Sequence, residues 1–230
     1  MVEYQRKDRY DINDLRDIMS ILRSPQGCPW DREQIHKSIR NDFIEEVYEA
    51  IEAIDLEDTE LLKEELGDVL LQIIFHCRIE EEKSCFDFDD ICDELCKKLI
   101  IRHPHVFGDI TVSDSGEVLK NWDSIKKETK GQTSYTETLT SVAKSLPALM
   151  RAQKVGKRAM RAGMDFSCVS DAVERVKSET DELEEAIRSG KKDDIYEELG
   201  DLLFSCVNTA RHLNLSLIHI SEPTRRSYIS

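Results

Sequence analysis

The sequence predicts an all-α protein made of two tandem helical-bundle repeats, and three observations support this fold class. Helix-breaking residues are scarce, with nine Gly and five Pro among 230 residues, while charged residues make up 34%. Long segments carry apolar residues at helical spacing. An acidic pattern also occurs twice, 133 residues apart, at Glu46, Glu49, Glu65 and Asp68 and again at Glu179, Glu182, Glu198 and Asp201.

The first repeat is predicted to contain four helices, which cover residues 13–23, 38–54, 59–82 and 88–101. The first of them ends at a Ser-Pro-Gln-Gly turn. The second and third are joined by a short break, so they are predicted to lie antiparallel with their acidic residues converging. Each has an apolar face that we expect in the core, formed by Ile44, Val47, Ile51 and Ile54 and by Leu62, Leu66, Val69 and Ile73.

The second repeat is predicted to contain three helices, over residues 146–162, 170–188 and 193–213. Gly163 follows the first of these, where a glycine commonly ends a helix. A polar segment, residues 126–145, contains few aliphatic side chains and is predicted to be a linker. The predicted domains are therefore a first repeat of residues 1–125 and a second of residues 146–214.

The last residues, 215–230, differ in character from the acidic helices before them. They resemble the translation of a transposase-type sequencing adaptor, so we expect them to be a non-native tail. On this interpretation the natural sequence stops near Asn214, and the second repeat is truncated.

Composition excludes several classes of protein. The net charge of −15 argues against a nucleic-acid partner, because DNA binding relies on Lys and Arg that neutralise phosphates. No apolar run approaches the roughly 20 residues of a membrane span, and the first residues are polar, so we expect a cytoplasmic protein with no membrane partner. The seven Cys form no Cys-x-x-Cys pair and are expected to be reduced thiols.

The repeated carboxylates predict a Mg²⁺ site in each repeat, with Mn²⁺ as an alternative ion. Hard divalent cations prefer carboxylate oxygens, and they neutralise phosphate charge and activate water. A single acidic helix face is often only solvated, but matched spacing in two copies favours metal binding. The predicted ligands are Glu46, Glu49, Glu65 and Asp68 in the first repeat and Glu179, Glu182, Glu198 and Asp201 in the second.

The candidate catalytic residues are Glu45, Glu46 and Glu179. Glu45 adjoins the predicted ligands without occupying a matched metal position, so it is a candidate to orient or deprotonate the attacking water. The second repeat departs from the first here, because Ser178 stands at the equivalent position.

Four polar side chains are candidates for substrate binding: Lys154, Arg158, Lys177 and Asn208. Lys154 and Arg158 belong to a basic stripe that either holds phosphate oxygens or pairs with the acidic surface. Asn208 lies seven residues after Asp201 on the same helix face, where an amide is suited to a sugar or phosphate. The first repeat has Phe75 there instead, which indicates that the two copies bind differently.

Five motifs together resemble two-repeat proteins of the MazG family. They are GCPWD (27–31), EEVYE (45–49), EELGD (64–68), RHPHVFG (102–108) and EELGDLLFSCVNTARHL (197–213). The resemblance covers residues 8–214 and implies an all-α nucleoside triphosphate pyrophosphohydrolase. Such an enzyme uses Mg²⁺ to cleave between the α and β phosphates and clears the nucleotide pool. The resemblance also implies the eight carboxylates as metal ligands, and subunits that associate as a homodimer or a larger homo-oligomer.

Two other functions compete with this prediction. In two-repeat members the C-terminal copy is usually taken as the catalytic one, yet Ser178 and the expected truncation fall in that copy. The alternative is therefore a non-catalytic nucleotide-sensing or dimerisation module. A di-iron carboxylate bundle needs two Glu-x-x-His motifs, whereas this chain has only Glu33 to His36, outside the repeats.

Overall fold

The computed structural model describes residues 4–114, 116–118, 121–122, 125, 134–215 and 217. The chain divides into two compact units, unit 1 of Met1–Ser113 and unit 2 of Asp114–Ser230. Within the described residues all regular secondary structure is helical, which confirms the predicted all-α class. None of the described helices is both long and apolar enough to cross a membrane.

Unit 1 contains six described helices. They are α1 (Ile12–Leu22), α2 (Pro29–Glu33), α3 (Arg40–Asp55), α4 (Thr59–Glu81), α5 (Phe88–Arg102) and α6 (Pro104–Phe107). In unit 2 the described residues 116–118, 121–122 and 125 are helical, and the helices with described bounds are α7 (Tyr135–Thr140), α8 (Ala148–Arg161), α9 (Val169–Ser189) and α10 (Lys192–His212). The acidic helices α3 and α4 pack against each other, as do α9 and α10.

Short polar side chains fix where several helices begin. Asp11 forms a capping box at the start of α1, and Asp87 forms one at the start of α5. The Asp58 carboxylate accepts hydrogen bonds from two backbone amides at the start of α4. At the other end of a helix, Gly190 adopts a left-handed conformation with φ of 72° and ends α9. These local signals place α4 and α10 directly after α3 and α9, so each pair forms a helical hairpin.

The core of unit 1 lies between α1, α4 and the segment that leads into α3. Its buried side chains are Met19, Ile39, Ile74, Phe75 and Ile79. Only the C-terminal half of α4 contributes to this cluster. The N-terminal half, which carries the acidic residues, is therefore left at the edge of the unit.

The predicted core faces of the acidic helices are partly wrong. Ile44 and Ile54 are 52% and 56% exposed, and Leu66 is 53% exposed, whereas the side chains of α3 that are buried are Ala50 and Ala53. The small alanines face the buried contact of α3, and the larger isoleucines lie on the adjoining side of the helix, where they stay exposed. Periodicity identified an apolar face but not the element that covers it.

An arginine fastens the segment between α1 and α3 to the end of α4. The Arg23 side chain is only 6% exposed and pairs with Glu82, with Nη2 2.8 Å from Oε2. Its guanidinium also donates to the backbone oxygens of Asp31 and Gln34, and it lies over the Phe75 ring. One buried cation thus joins the segment, α4 and the core.

Two histidines and a glutamate add a second attachment of this segment. The Nδ1 atoms of His36 and His76 are 2.7 Å apart, and Nε2 of His36 contacts Oε1 of Glu80. Since two ring nitrogens at this distance share one proton, one ring donates and the other accepts. Burial and the neighbouring His36 ring lower the pKa of His76. Hydrogen bonds from Lys83 and His36 lower the pKa of Glu80 to about 2.

Unit 2 contains an ion pair that corresponds to Arg23–Glu82 of unit 1, with the positions of the two charges exchanged. Asp165, in the segment between α8 and α9, accepts a hydrogen bond from Nη1 of Arg211 on α10 at 3.0 Å and one from Nε2 of His212 at 3.0 Å. The Arg211 guanidinium holds the pKa of Asp165 well below its usual range. In unit 1 the arginine belongs to the segment and the carboxylate to the helix, and in unit 2 the reverse holds.

Helix α8 packs closely on α10 at a glycine. A Cβ atom added at Gly156 would lie 2.7 Å from Oδ1 of Asn208 and 3.3 Å from Nε of Arg211. Beside this contact, Val207 and Ala210 form a buried cluster with Leu217. This packing fixes α8 along one side of the second acidic hairpin.

The predicted domain limits differ in detail from the two units. The predicted linker of residues 126–145 lies partly outside the described residues, and its described part contains α7. The predicted tail lies outside them as well, except for Leu215 and Leu217. Leu217 is buried against α10.

Candidate metal centre

Each unit brings three of its predicted ligands together. In unit 1 the N-terminal cluster consists of Glu46, Glu49 and Glu65, and in unit 2 the C-terminal cluster consists of Glu179, Glu182 and Glu198. Each residue offers one carboxylate oxygen, and the three oxygens of a cluster lie within 4.8 Å of one another. The clusters occupy the same positions in the repeat.

Helical geometry produces both clusters. Glu46 and Glu49 are three residues apart on α3, so their side chains lie on one face of that helix. The α3–α4 hairpin then brings Glu65, from the second turn of α4, against that face. The α9–α10 hairpin does the same for Glu179, Glu182 and Glu198.

The fourth predicted ligand of each unit lies outside these groups of three. Asp68 and Asp201 are nevertheless electrostatic neighbours of the clusters, because their charges act on Glu46 and on Glu198 respectively. Their ligand role stays a prediction.

The carboxylates of each cluster repel one another. Burial raises the pKa of Glu46, and the negative charges of Asp68, Glu49 and Glu65 raise it further. Burial likewise raises the pKa of Glu65, with added repulsion from Glu49. In unit 2, burial and then the charge of Glu182 raise the pKa of Glu198. A divalent cation would relieve this repulsion in both units.

Glu179 is the most deeply buried member of either cluster. The residue is 2% exposed, and its Oε2 atom has no hydrogen-bond partner among the residues that the structure describes. Its other oxygen, Oε1, lies 2.6 Å from Nε of Arg175. A buried carboxylate oxygen without a partner is costly, so this atom is positioned for a ligand that the protein alone does not supply.

The clusters fit a magnesium ion. Mg²⁺ binds oxygens at about 2.1 Å in octahedral geometry and keeps several positions for water or phosphate. Three converging carboxylates, one of them with an unpartnered buried oxygen in unit 2, match that requirement. Each site would then leave part of the coordination sphere for a substrate.

The two units differ at the position next to the first ligand. Glu45 is exposed on α3 beside Glu46. The equivalent Ser178 donates a hydrogen bond from its hydroxyl to Oε1 of Glu182 at 2.8 Å. Unit 1 therefore has an exposed carboxylate beside its predicted ligands, and unit 2 has a hydroxyl that is hydrogen-bonded to one of them.

The candidate substrate-binding residues have diverse surroundings. Lys154 is exposed on α8, and Lys177 is exposed on α9, where it pairs with Glu174 at 2.7 Å. Arg158 donates to the Thr138 backbone oxygen and, at 2.8 Å, to the Ser141 hydroxyl. It therefore fastens α7 to α8.

Asn208 is buried and lies against α8. Its Oδ1 atom is 3.3 Å from Nε of Arg211, and it borders Gly156. These contacts give Asn208 a packing role. Substrate binding by any of the four candidates stays a prediction.

Arg175 is the site residue that sequence reasoning missed. It lies four residues before Glu179, and its Nη1 atom is also 3.3 Å from Oε1 of Glu182. The repeat offset of 133 aligns Arg175 with Asp42. The sequence alone therefore showed that a basic residue in the second repeat stands where the first repeat has an acidic one, and this difference could have identified Arg175.

Comparisons with known proteins agree with the arrangement of the two units. The family described as MazG nucleotide pyrophosphohydrolase domain matches residues 34–107 and 169–221, one match in each unit. A nucleoside triphosphate pyrophosphohydrolase of Escherichia coli strain K12 is 44% identical over 205 residues, which cover 88% of this chain and 78% of that protein.

Two further relatives are similar over most of the chain. The Thermotoga maritima protein named nucleoside triphosphate pyrophosphohydrolase/pyrophosphatase MazG is 43% identical, over 89% of this chain and 77% of its own length. A nucleoside triphosphate pyrophosphohydrolase of Mycobacterium tuberculosis is 36% identical, over 82% of this chain and 57% of its own length. The two segments that match the family, residues 34–107 and 169–221, include the two carboxylate clusters.

Proposed function

Because the chain belongs to the MazG nucleotide pyrophosphohydrolase family and is an enzyme of that class, we propose that it hydrolyses nucleoside triphosphates to a monophosphate and pyrophosphate. The reaction would depend on Mg²⁺, with Mn²⁺ as a substitute, and would break the bond between the α and β phosphates. Its role would be to remove unwanted triphosphates from the nucleotide pool.

One observation carries the proposal, namely the convergence of three carboxylates in the same register of both units. Glu46, Glu49 and Glu65 would hold the ion in unit 1, aided by Asp68. Glu179, Glu182 and Glu198 would hold it in unit 2, aided by Asp201. Bound Mg²⁺ supplies neutralisation of the triphosphate charge and polarisation of the phosphorus that water attacks.

The chain's own residues would then handle the water and its proton. Glu45 is exposed next to Glu46, which supports our proposal that its carboxylate accepts a proton from a water beside the N-terminal cluster. In unit 2 the Ser178 hydroxyl is engaged with Glu182 and cannot serve as a base. Glu179 retains one buried oxygen without a partner for the same task or for the ion.

The exposed lysines are the better candidates for substrate phosphates. Lys154 and Lys177 carry mobile ammonium groups, and Lys177 would exchange its exposed ion pair with Glu174 for a phosphate. Arg158 and Asn208 are engaged in packing between helices, so we propose that they support the substrate site indirectly.

A homo-oligomer is part of the proposal. Helix α3 leaves Ile44, Val47 and Ile54 exposed along one side, and α5 leaves Leu95 and Leu99 exposed. Rows of apolar side chains of this kind are normally covered by a partner. A second copy of this chain would cover them, and light scattering coupled to gel filtration measures whether the particle is larger than one chain.

Product analysis tests the proposed reaction. Metal-free protein is incubated with a nucleoside triphosphate, with and without Mg²⁺, and the products are identified by phosphorus NMR. We expect monophosphate and pyrophosphate only when Mg²⁺ is present. Diphosphate and orthophosphate as the first products would refute the assigned bond.

Matched variants assign the reaction to a unit. Glu49→Gln and Glu182→Gln each remove one ligand charge, and Glu184→Gln on α9 is a control outside both clusters. Loss of turnover in Glu182→Gln alone assigns catalysis to unit 2. Loss in Glu49→Gln alone assigns it to unit 1, and unit 2 is then the nucleotide-sensing or dimerisation module.

A further inference from the structure

Arg175 places a positive charge inside the C-terminal cluster. Its Nε atom is 2.6 Å from Oε1 of Glu179, and its Nη1 atom is 3.3 Å from Oε1 of Glu182. One guanidinium therefore bridges two of the three carboxylates that face the candidate ion position. The cluster is partly neutralised before any metal binds.

The burial of Glu179 makes this contact significant. An ionised carboxylate that is 2% exposed needs a nearby positive charge, and Arg175 supplies it from one helical turn away. The unpartnered Oε2 atom shows that the compensation is incomplete. Glu179 thus contacts the arginine with one oxygen and leaves the other for a second cation.

Unit 1 lacks this feature. The equivalent of Arg175 is Asp42, on the first turn of α3. Among the residues that the structure describes, no lysine or arginine forms an ion pair with Glu46, Glu49 or Glu65. Within the described residues, the N-terminal cluster therefore has no counter-cation from the protein, whereas the C-terminal cluster has one.

We propose that Arg175 is an internal counter-cation that competes with the divalent ion for the C-terminal cluster. A metal ion held by Oε2 of Glu179 and Oε1 of Glu182 would displace the guanidinium from Glu182, and the positive charge that remains beside Oε1 of Glu179 would repel it. The competition lowers the affinity of unit 2 for the ion and stabilises unit 2 when the ion is scarce. This inference rests on the proposed metal sites but concerns a residue that is not a ligand.

Mg²⁺ binding to the full-length chain tests the competition. The background variant Glu46→Gln/Glu49→Gln disables the N-terminal cluster, so calorimetric titration with MgCl₂ reports on unit 2. In this background, Arg175→Gln should lower the Kd for Mg²⁺ about two- to fivefold, as expected for loss of a partly exposed ion pair. Arg175→Lys keeps the charge and should stay close to the background protein.

The matched control is Arg188→Gln, which removes the same charge from the same helix but breaks only the exposed pair with Glu184. It should leave Mg²⁺ affinity unchanged. Thermal unfolding gives a second readout, because Arg175→Gln should lower the Tm of the metal-free protein and enlarge the rise caused by Mg²⁺.

A reciprocal variant covers the case in which Arg175→Gln does not fold. Asp42→Arg in a Glu179→Gln/Glu182→Gln background should weaken Mg²⁺ binding to the N-terminal cluster. Equal Kd values for Arg175→Gln and its background, or weaker binding, would overturn the competition while leaving the metal site intact. If the background protein itself binds no Mg²⁺, the metal site of unit 2 and the competition both fail.

Discussion

The two units carry the same three carboxylates in the same register but hold them in different surroundings. In unit 1 the cluster is half-exposed, adjoins Glu45 and has an acidic residue, Asp42, one turn before it. In unit 2 the first carboxylate is buried, and Arg175 and Ser178 contact the cluster directly. Equal spacing therefore brings three carboxylates together in each unit but leaves them with unequal neighbouring charges, and we expect those charges to make ion binding differ between the units.

The largest expected difference in stability between the two units concerns two ion pairs, Arg23 with Glu82 in unit 1 and Asp165 with Arg211 in unit 2. Asp165→Ala leaves the buried Arg211 guanidinium without its carboxylate, so unit 2 should lose about 3–5 kcal/mol of stability. Arg23→Ala should cost unit 1 less, about 1–3 kcal/mol, because Glu82 keeps a second partner in Arg78.

Hydrogen exchange followed by mass spectrometry measures the two losses separately, since each unit yields its own peptides. Arg188→Ala, which breaks an exposed pair, is the control and should cost under about 1 kcal/mol. Equal destabilisation by Arg23→Ala and Asp165→Ala would show that the second partner of Glu82 contributes nothing.

The next largest expected effect is the loss of Mg²⁺-induced stabilisation when one carboxylate of a cluster is replaced. Mg²⁺ at a concentration of about 100 times its Kd should stabilise the unit that binds it by about 2.7 kcal/mol. Glu49→Gln should abolish most of this gain in unit 1 only, and Glu182→Gln in unit 2 only, because each removes one of three charges. Thermal unfolding with and without Mg²⁺ is the measurement, and a wild-type protein with no Mg²⁺ response would contradict both sites.

Acid should act on the two units through different groups. The pKa of Glu80 in unit 1 is lowered from 4.5 to about 2, so its stabilising contribution is complete above pH 4.5 and is lost as the pH falls towards 2. Glu80→Gln should therefore remove part of the loss of stability over that range. The pKa of Asp165 is also lowered, so unit 2 should lose its contribution only below pH 3.8.

The carboxylate clusters should respond to pH in the opposite sense. The pKa values of Glu46, Glu65 and Glu198 are raised, so their protonation favours the folded chain. This contribution is complete below pH 4.5 and is lost as the pH rises through the raised values. On mild acidification these three carboxylates should therefore add stability to the metal-free protein, against the opposite contribution of His76, and saturating Mg²⁺ should remove the part that comes from the carboxylates. Unfolding curves at several pH values, with EDTA or with Mg²⁺, test this.

The smallest expected effect concerns Ser178. Ser178→Ala removes a 2.8 Å hydrogen bond to Glu182, so we expect a loss of about 0.5–1.5 kcal/mol in Mg²⁺ binding to unit 2. The same calorimetric titration measures it. Tighter binding in Ser178→Ala would show that the hydroxyl holds Glu182 away from the ion.

Residue spacing along the sequence predicted the helices and the carboxylate clusters. The features that it did not predict depend on contacts between residues far apart in the sequence. Apolar spacing located α3, α4, α9 and α10 to within a few residues, and the acidic spacing identified the six converging glutamates. The uncovered isoleucines of α3 were not predicted, because a pattern shows that a face is apolar and not what packs on it. The pairing of His36 with His76 joins residues 40 positions apart, which no helical period reveals.

The close approach of α8 and α10 sets a limit on protein engineering. Replacing a glycine within a helix by alanine ordinarily stabilises a protein, by about 1 kcal/mol. At Gly156 the added methyl group would enter the space of the Asn208 side chain, which is buried and hydrogen-bonded to Arg211. The usual gain should therefore become a loss, and a stabilising mutagenesis programme that treats all helical glycines alike would damage unit 2 at this position. Gly67 and Gly200, whose added methyl groups would meet no neighbour within 4 Å, are the positions at which the ordinary rule should hold.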